Sequence, residues 1–358
     1  MTSVRKTRVL IVDDSAFMRK IIGDILEADP QIEVVGKTRD GDEAIRKIKE
    51  LSPDLVTLDV EMPGKNGLEV LREIMEQNPL PVIMVSNLTK RGADVTMQAL
   101  DAGAVDFVTK PSGSISLDME KIGDALRRKV RAASRASVSN ASMKWEKFIS
   151  TPHSPAPVDP SKRFRNLQKP FDMLVVAAST GGPMALQEVV PALPEDFPLP
   201  VLIVQHMPPG FTSSLARRLN ERSKIKVVEA CDDMPIRKGG AILAPGGYHL
   251  VVERKQADLV CRLTETAPVR SVRPAADVLF QSVAEVVGGN VLVLVLTGMG
   301  KDGTDGARAL KKKGAYVIAE SKETCVIPGM PGAIVEAGLS DEVIPLYAIA
   351  SNLIRLAK

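Results

Sequence analysis

Short, uninterrupted runs of β-branched and aliphatic residues recur along this chain, each followed by a stretch with helical apolar spacing: Arg8–Val12, Glu33–Gly36, Leu55–Leu58, Val82–Val85 and Val105–Val108. A strand that is apolar on both faces needs cover on both, which a parallel sheet between two layers of helices supplies. These runs predict a five-fold β/α unit. Between about Arg127 and Pro170 the pattern dissolves into Arg127-Arg128-Lys129-Val130-Arg131, then Ser, Ala and Asn, then Thr151-Pro152-His153-Ser154-Pro155-Ala156-Pro157, a composition that reads as a linker. From Met173 the alternation resumes, with strands expected at Met173–Ala177, Val201–Val204, Val227–Ala230, Ala241–Leu243, Val291–Leu296 and Tyr316–Ala319. Leu250–Leu263 reads instead as an antiparallel excursion turning at Lys255-Gln256-Ala257-Asp258. The expected fold is α/β in two domains: residues 1–130, a linker at 131–169, and residues 170–358 with a doubly wound, mostly parallel sheet. A chain of 358 residues can bury two such cores.

Composition narrows the function classes. Forty-seven Lys and Arg against forty-four Asp and Glu give +3, too small a surplus for a global nucleic-acid or membrane-binding field. Three widely spaced cysteines, Cys231, Cys261 and Cys325, form neither a disulfide framework nor a thiolate cluster and fit a reducing cytoplasm. The first residues lack an apolar signal core and no apolar run approaches a membrane span, so neither secretion nor insertion is expected.

In the first domain the strand ends carry the chemistry, because ligands of open α/β sheets collect beyond the carboxyl ends of the strands. Strand one ends in Asp13-Asp14, strand three in Asp59, strand four in Ser86 and strand five in Lys110-Pro111. Three carboxylates on one rim repel one another unless a hard cation lies among them, and oxygen ligands with room for phosphate suit Mg²⁺. In the order 2-1-3-4-5 Asp59 sits on the central strand, where it can attack a phosphoryl group, with Lys110 and Ser86 holding phosphoryl oxygens. Taken singly, each residue could be a turn residue or helix cap, as Asp14-Ser15 before a helix suggests. Together, from residue 6 to about 130, they resemble the flavodoxin-like receiver domain of two-component response regulators. The resemblance implies phosphorylation of Asp59 by a histidine kinase, Mg²⁺ bound by Asp14, Asp59 and the Glu61 carbonyl with help from Asp13, and Phe107 as the switch aromatic.

The second domain offers three more strand ends. Met173–Ala178 leads into Ser179-Thr180-Gly181-Gly182-Pro183, Val201–Gln205 delivers His206, and Val291–Leu296 delivers Thr297-Gly298-Met299-Gly300-Lys301-Asp302-Gly303. A serine at a strand-to-helix turn presents its hydroxyl above the sheet, beside glycine-rich backbone that can hold an oxyanion, although it could equally be an N-cap. Ser179 as nucleophile, His206 as base then acid, and Asp302 as the group orienting the imidazole form a coherent set on one rim. His249 is the rival base, Asp305 the rival acid, and His153 lies in the linker. Gly298–Gly303 also matches G-x-G-x-x-G, with Glu320 near the spacing of a ribose-binding acid, which keeps a nucleotide-cofactor oxidoreductase as an alternative. A DNA-binding response regulator is another, resting on Arg127–Arg131.

Receiver, linker and a domain carrying Ala178–Pro183, Gln205-His206-Met207, Ala244–His249 and Thr297–Gly303 resemble the chemotaxis protein-glutamate methylesterase (CheB) family over nearly the whole chain. That resemblance implies a cytoplasmic hydrolase that removes methyl esters from chemoreceptor glutamates, releases methanol, and deamidates glutamines as a second activity. It implies Ser179, His206 and Asp302 as the triad, the Met299 N–H at the oxyanion, Thr180 lining the site, and no cofactor for hydrolysis. It also implies a receiver that covers the catalytic rim until Asp59 is phosphorylated. The expected partners are chemoreceptor cytoplasmic domains and a chemotaxis histidine kinase, with no nucleic acid, no membrane insertion and a monomeric chain. The linker segment Lys144-Trp145-Glu146-Lys147-Phe148, with the only Trp, is expected to pack on the catalytic domain or to mimic a receptor tail.

Overall fold

The computed structural model describes residues 5–110, 117–134 (side chains from 122) and 171–358; Pro111, His153 and the Trp145–Phe148 segment lie outside the described residues. The N-terminal unit alternates β1 (Thr7–Val12), α1 (Ala16–Glu27), β2 (Ile32–Thr38), α2 (Gly41–Leu51), β3 (Leu55–Asp59), α3 (Gly67–Gln77), β4 (Val82–Ser86), α4 (Lys90–Asp101), β5 (Asp106–Thr109) and α5 (Leu117–Ala133). Its sheet is parallel in the order β2-β1-β3-β4-β5. Every residue of β3 and β4 is buried, as their unbroken apolar runs require. The helices start where a short polar side chain can take an orphan N–H: Ser15 caps α1, Asp40 α2 and Thr89 α4, and Asn66 forms a reciprocal capping box with Glu69 at α3. Each cap stabilises its helix by about 1 kcal/mol.

The last helix extends three residues beyond the expected boundary at 130, with Val130 and Ala133 both buried. Its basic run serves the unit's own packing. Arg127 bonds Asp124 and the Ile25 carbonyl, Lys129 bonds Asp106 and the Phe107 carbonyl, and Arg131 pairs with Asp29. Three of the four cations at Arg127–Arg131 are therefore engaged within the unit, which removes the basis for a DNA-binding reading.

The C-terminal unit runs β6 (Met173–Ala178), α6 (Gly182–Val189), β7 (Val201–Gln205), α7 (Phe211–Arg222), β8 (Lys226–Glu229), β9 (Gly240–Leu243), β10 (His249–Lys255), β11 (Asp258–Thr264), α8 (Ala276–Val286), β12 (Val291–Val295), α9 (Thr304–Lys312), β13 (Tyr316–Glu320), α10 (Gly329–Glu336), β14 (Glu342–Ile344) and α11 (Leu346–Ala357). Seven strands form a parallel sheet in the order β14-β13-β12-β6-β7-β9-β8, and β10 and β11 form the expected antiparallel hairpin, Lys255 facing Asp258. The edge strand β14 escapes the sequence reading because three residues, Glu342-Val343-Ile344, are too short to show a period. From β6 the chain passes to β7 and on to the edge strand β8, comes back to insert β9 between them, and later lays β12, β13 and β14 on the other side of β6. The reversal lies between β6 and β12, and such a switch point opens a crevice at the carboxyl ends of the strands. Among the described residues no helix is long and apolar enough to cross a membrane.

Candidate active sites

Asp59 ends β3 buried, and Lys110 Nζ donates to its Oδ2 at 2.6 Å while standing 3.1 Å from Asp13 Oδ2. The Glu61 N–H donates to Asp59 Oδ1 at 3.2 Å. Burial raises the Asp59 pKa to about 6, against the Lys110 hydrogen bond, with the Asp13 charge adding to the rise. Oxygens of Asp13, Asp14 and Asp59 all lie within 4.8 Å of one another. Asp13 Oδ2 is buried and lacks a hydrogen bond of good geometry, its ion pair with Lys110 notwithstanding. Hard oxygen donors around an under-satisfied buried carboxylate fit a divalent cation such as Mg²⁺. The cap of α1 is Ser15, whose hydroxyl accepts the Met18 N–H, so Asp14 stays exposed and uncommitted to capping.

Ser86 is buried at the end of β4, but its hydroxyl faces α4, donating to the Gly92 carbonyl and accepting from Thr96 Oγ1 at 2.8 Å. Phe107 is buried on β5, with the Lys129 ammonium 5.3 Å from its ring centre.

In the C-terminal unit β12, β6 and β7 are neighbours, so the three loops singled out in the sequence leave adjoining strand ends. His206 Nε2 lies 2.7 Å from Asp302 Oδ2. Asp302 also accepts the Ala276 N–H at Oδ2 (2.6 Å) and the Asp277 N–H at Oδ1 (3.0 Å). Burial works to raise the Asp302 pKa, but the hydrogen bond and charge of His206 and the two backbone N–H groups overcome it, leaving the carboxyl below its ordinary value. An ionised carboxylate only accepts, so Nε2 carries the proton and Nδ1 is the basic nitrogen.

Ser179 is partly exposed at the head of the switch-point crevice. The N-cap of α6 is Gly181, so the serine hydroxyl is not spent on capping. Its N–H donates to the Thr297 carbonyl (3.0 Å), and the neighbouring Ala178 carbonyl accepts the His206 N–H (3.2 Å). Gln205 reinforces this link: its Nε2 donates to the Ser179 carbonyl at 2.9 Å, tying the end of the base's strand to the nucleophile. A Cβ at residue 182 would stand 2.0 Å from Gln205 Oε1, and one at 298 would stand 2.8 Å from the Ser179 Cβ, so glycine is required at both positions. Among the described residues no hydrogen bond joins Ser179 to His206; the structure brings His206 and Asp302 into contact and sets Ser179 on the adjoining strand end. The Gly298 N–H is taken by the Ile327 carbonyl, whereas among the described residues nothing takes the Met299 N–H. Thr180 is buried, and its carbonyl accepts from Thr297 Oγ1 at 3.0 Å.

The rivals separate on their partners. His249 is buried with both nitrogens engaged: Nδ1 accepts the Ala275 N–H and Nε2 faces the Ala267 carbonyl, each at 3.2 Å. Burial lowers its pKa, and it clamps the two ends of a loop. Asp305 pairs with Arg270 and Arg308 rather than with a histidine. Glu320 faces inward, its Oε2 accepting the Thr297 N–H at 2.7 Å and its Oε1 the Thr324 hydroxyl at 3.0 Å, an arrangement that leaves no acid free for a ribose. Gln205 and Thr297 stand in the motifs quoted from the sequence without a role of their own, and the second buried acid Asp277 carries no signal there; a Gln closing the apolar run Val201–Val204 is the one feature that points to such a role.

Burial raises the Glu320 pKa from 4.5 to about 7, against the hydrogen bonds it accepts. A carboxyl whose pKa is raised by folding stabilises the fold below its ordinary value and loses that contribution as pH climbs through the folded value. The melting temperature should therefore fall between about pH 4.5 and 7 through this group. Glu320→Gln keeps an acceptor for the Thr297 N–H and should flatten the Tm profile over that window; an unchanged slope would assign it to other groups.

Comparison with known proteins bears directly on these two sites. A family model described as CheB methylesterase matches residues 174–353, and one described as response regulator receiver domain matches residues 9–120. A protein-glutamate methylesterase/protein-glutamine glutaminase of Halalkalibacterium halodurans is 48% identical over 357 residues, 99% of each chain. One of Pyrococcus horikoshii is 43% identical, covering 98% of this chain and 94% of its own. The crystallised CheB methylesterase catalytic domain of Thermotoga maritima superposes with a TM-score of 0.51 at 44% identity, over 52% of this chain and 98% of that one. With a receiver model on one unit, a methylesterase model on the other and near full-length relatives throughout, the chain belongs to the CheB family of protein-glutamate methylesterases/protein-glutamine glutaminases.

Proposed function

We propose that this chain is a phosphorylation-gated serine hydrolase that cleaves γ-glutamyl methyl esters on the cytoplasmic domains of chemoreceptors and also deamidates receptor glutamines. The observation that carries the reading is the 2.7 Å pair of His206 and Asp302 on the strand end beside Ser179 at the switch point. In the proposed reaction Ser179 Oγ attacks the ester carbonyl and passes its proton to His206 Nδ1. The oxyanion forms against backbone N–H groups that include that of Met299. Collapse of the tetrahedral intermediate expels methanol, which takes the proton from His206 and leaves an acyl-serine. Water then attacks with His206 again as base, the Ser179–acyl bond breaks as His206 returns that proton to Ser179 Oγ, and the free glutamate leaves. With a glutamine substrate the first leaving group is ammonia. Hydrolysis needs no cofactor.

In the receiver the Asp59 carboxylate attacks the phosphorus of a phosphohistidine on a chemotaxis kinase, forming an acyl phosphate as the P–N bond breaks. Asp13, Asp14, Asp59 and the Glu61 carbonyl would hold Mg²⁺, which when bound neutralises charge on the phosphoryl oxygens. Lys110, already 2.6 Å from Asp59, pairs with one phosphoryl oxygen. Ser86 reaches another only by leaving Thr96 and Gly92, and Phe107 responds beside it as the switch aromatic. A cytoplasmic location and a monomeric chain go with this reading.

Methanol release from methylated receptor, measured with and without a small-molecule phosphodonor and Mg²⁺, tests the proposal; no release under either condition would sink it. Asp59→Asn should retain basal release and lose the response to phosphodonor, because an amide cannot form the acyl phosphate. A variant that still responds would place the phosphoryl group elsewhere.

A further inference from the structure

Asp302 is held by more than its histidine. The N–H groups it accepts, from Ala276 and Asp277, are the first two of α8. In return Asp277 Oδ1 accepts the N–H of Gly306 at 2.8 Å, in the first turn of α9, the helix that begins just after Asp302. Two helix N-termini thus exchange acids, each supplying the carboxylate that caps the other. The exchange places a second buried acid, Asp277 at 3% exposure, against the acid of the proposed triad, where two like charges oppose each other.

One cation offsets it. Arg270 Nε donates to Asp277 Oδ2 at 3.3 Å, and its Nη2 reaches Asp305. Arg270 and Ser271 form a two-residue turn closed by paired backbone hydrogen bonds between Val269 and Val272, with φ values of 52° and 66°. Glycine and asparagine are the residues that usually take such a turn, so a side chain as long as arginine is held there against backbone preference. The ends of the loop are tied down by His249, through the Ala267 carbonyl and the Ala275 N–H.

We propose that Arg270 and Asp277 are a positioning pair for the hydrolytic reaction: Asp277 locks the loop that presents Asp302 to His206, and Arg270 cancels the added charge. The inference rests on the Ser179–His206–Asp302 reading. The effect is electrostatic as well as steric, so it has a sign. Removing Arg270 leaves the Asp277 charge beside Asp302 without its cation, which favours the imidazolium. Removing the charge of Asp277 takes a negative charge from beside Asp302 and leaves Arg270 paired with Asp305 alone, which disfavours it. The other charged or titratable groups around the pair are Asp305 and Arg308 on α9, His249 on β10 and Arg273 in the same loop; none changes between the variants.

The test is kcat/KM against pH for ester hydrolysis by the full-length chain, in wild type, Arg270→Gln, Asp277→Asn and the double variant. The acidic limb should move to higher pH in Arg270→Gln, to lower pH in Asp277→Asn, each by about half a unit or more, and return towards wild type in the double variant. Asp277→Asn keeps an acceptor for Gly306, and Arg270→Lys should hold the limb in place, so a folding defect in one variant leaves the others decisive. Shifts of the same sign, or superimposable profiles with only kcat reduced, would overturn the proposal. Ser179→Ala in parallel separates the two readings: an active Ser179→Ala fails the triad itself, whereas a dead one beside unmoved profiles fails only the positioning pair.

Discussion

Ser179→Ala is expected to abolish methanol release, lowering kcat by about 10⁶-fold, the loss typical when a nucleophile is removed from a triad that acts as a unit. The fold should be untouched, because the structure anchors residue 179 by its backbone: its N–H on Thr297 and its carbonyl on Gln205 and the Gly182 N–H. His206→Gln should fall nearly as far, since His206 supplies the only imidazole in contact with a carboxylate among the described residues. Rates measured with methylated receptor, with circular dichroism to confirm folding, decide the matter. Retention of more than a few per cent of activity in either variant would dismiss the triad.

Asp302→Asn is expected to lower kcat by about 10⁴-fold, for a reason specific to its contacts. Asp302 uses both oxygens as acceptors, Oδ2 for His206 and Ala276 and Oδ1 for Asp277. An asparagine has one acceptor oxygen. If its NH₂ turns to His206, Nε2 must accept, the proton moves to Nδ1, and the basic nitrogen is lost. If its NH₂ turns to α8, it meets a backbone donor in a buried place. The variant should also lose stability at neutral pH. Folding lowers the Asp302 pKa, so its contribution is present above the ordinary value of 3.8 and disappears as pH falls through the folded value. The Tm gap between wild type and Asp302→Asn should therefore be wide at pH 7 and narrow in acid. A gap that does not change with pH would count against an ionised Asp302.

Much of the architecture was legible because continuous apolar runs leave few alternatives to a covered parallel sheet, and because such sheets collect function at one end of their strands. The sequence by itself determined two α/β units, the receiver strand order, and the strand ends that bring Asp59, Ser179, His206 and Asp302 to their rims. It could not choose between similar side chains, since His206 and His249 both follow sheet strands or turns and Glu320 has the spacing of a ribose acid. Only the tertiary structure decided that His249 is spent on two backbone groups, that Glu320 accepts the Thr297 N–H, and that Arg127, Lys129 and Arg131 are engaged within their own unit. The exchange between Asp277 and Asp302 was invisible for the same reason. The role of a polar side chain is set by the donors it meets, and those donors stand on elements that become neighbours only when the sheet is assembled.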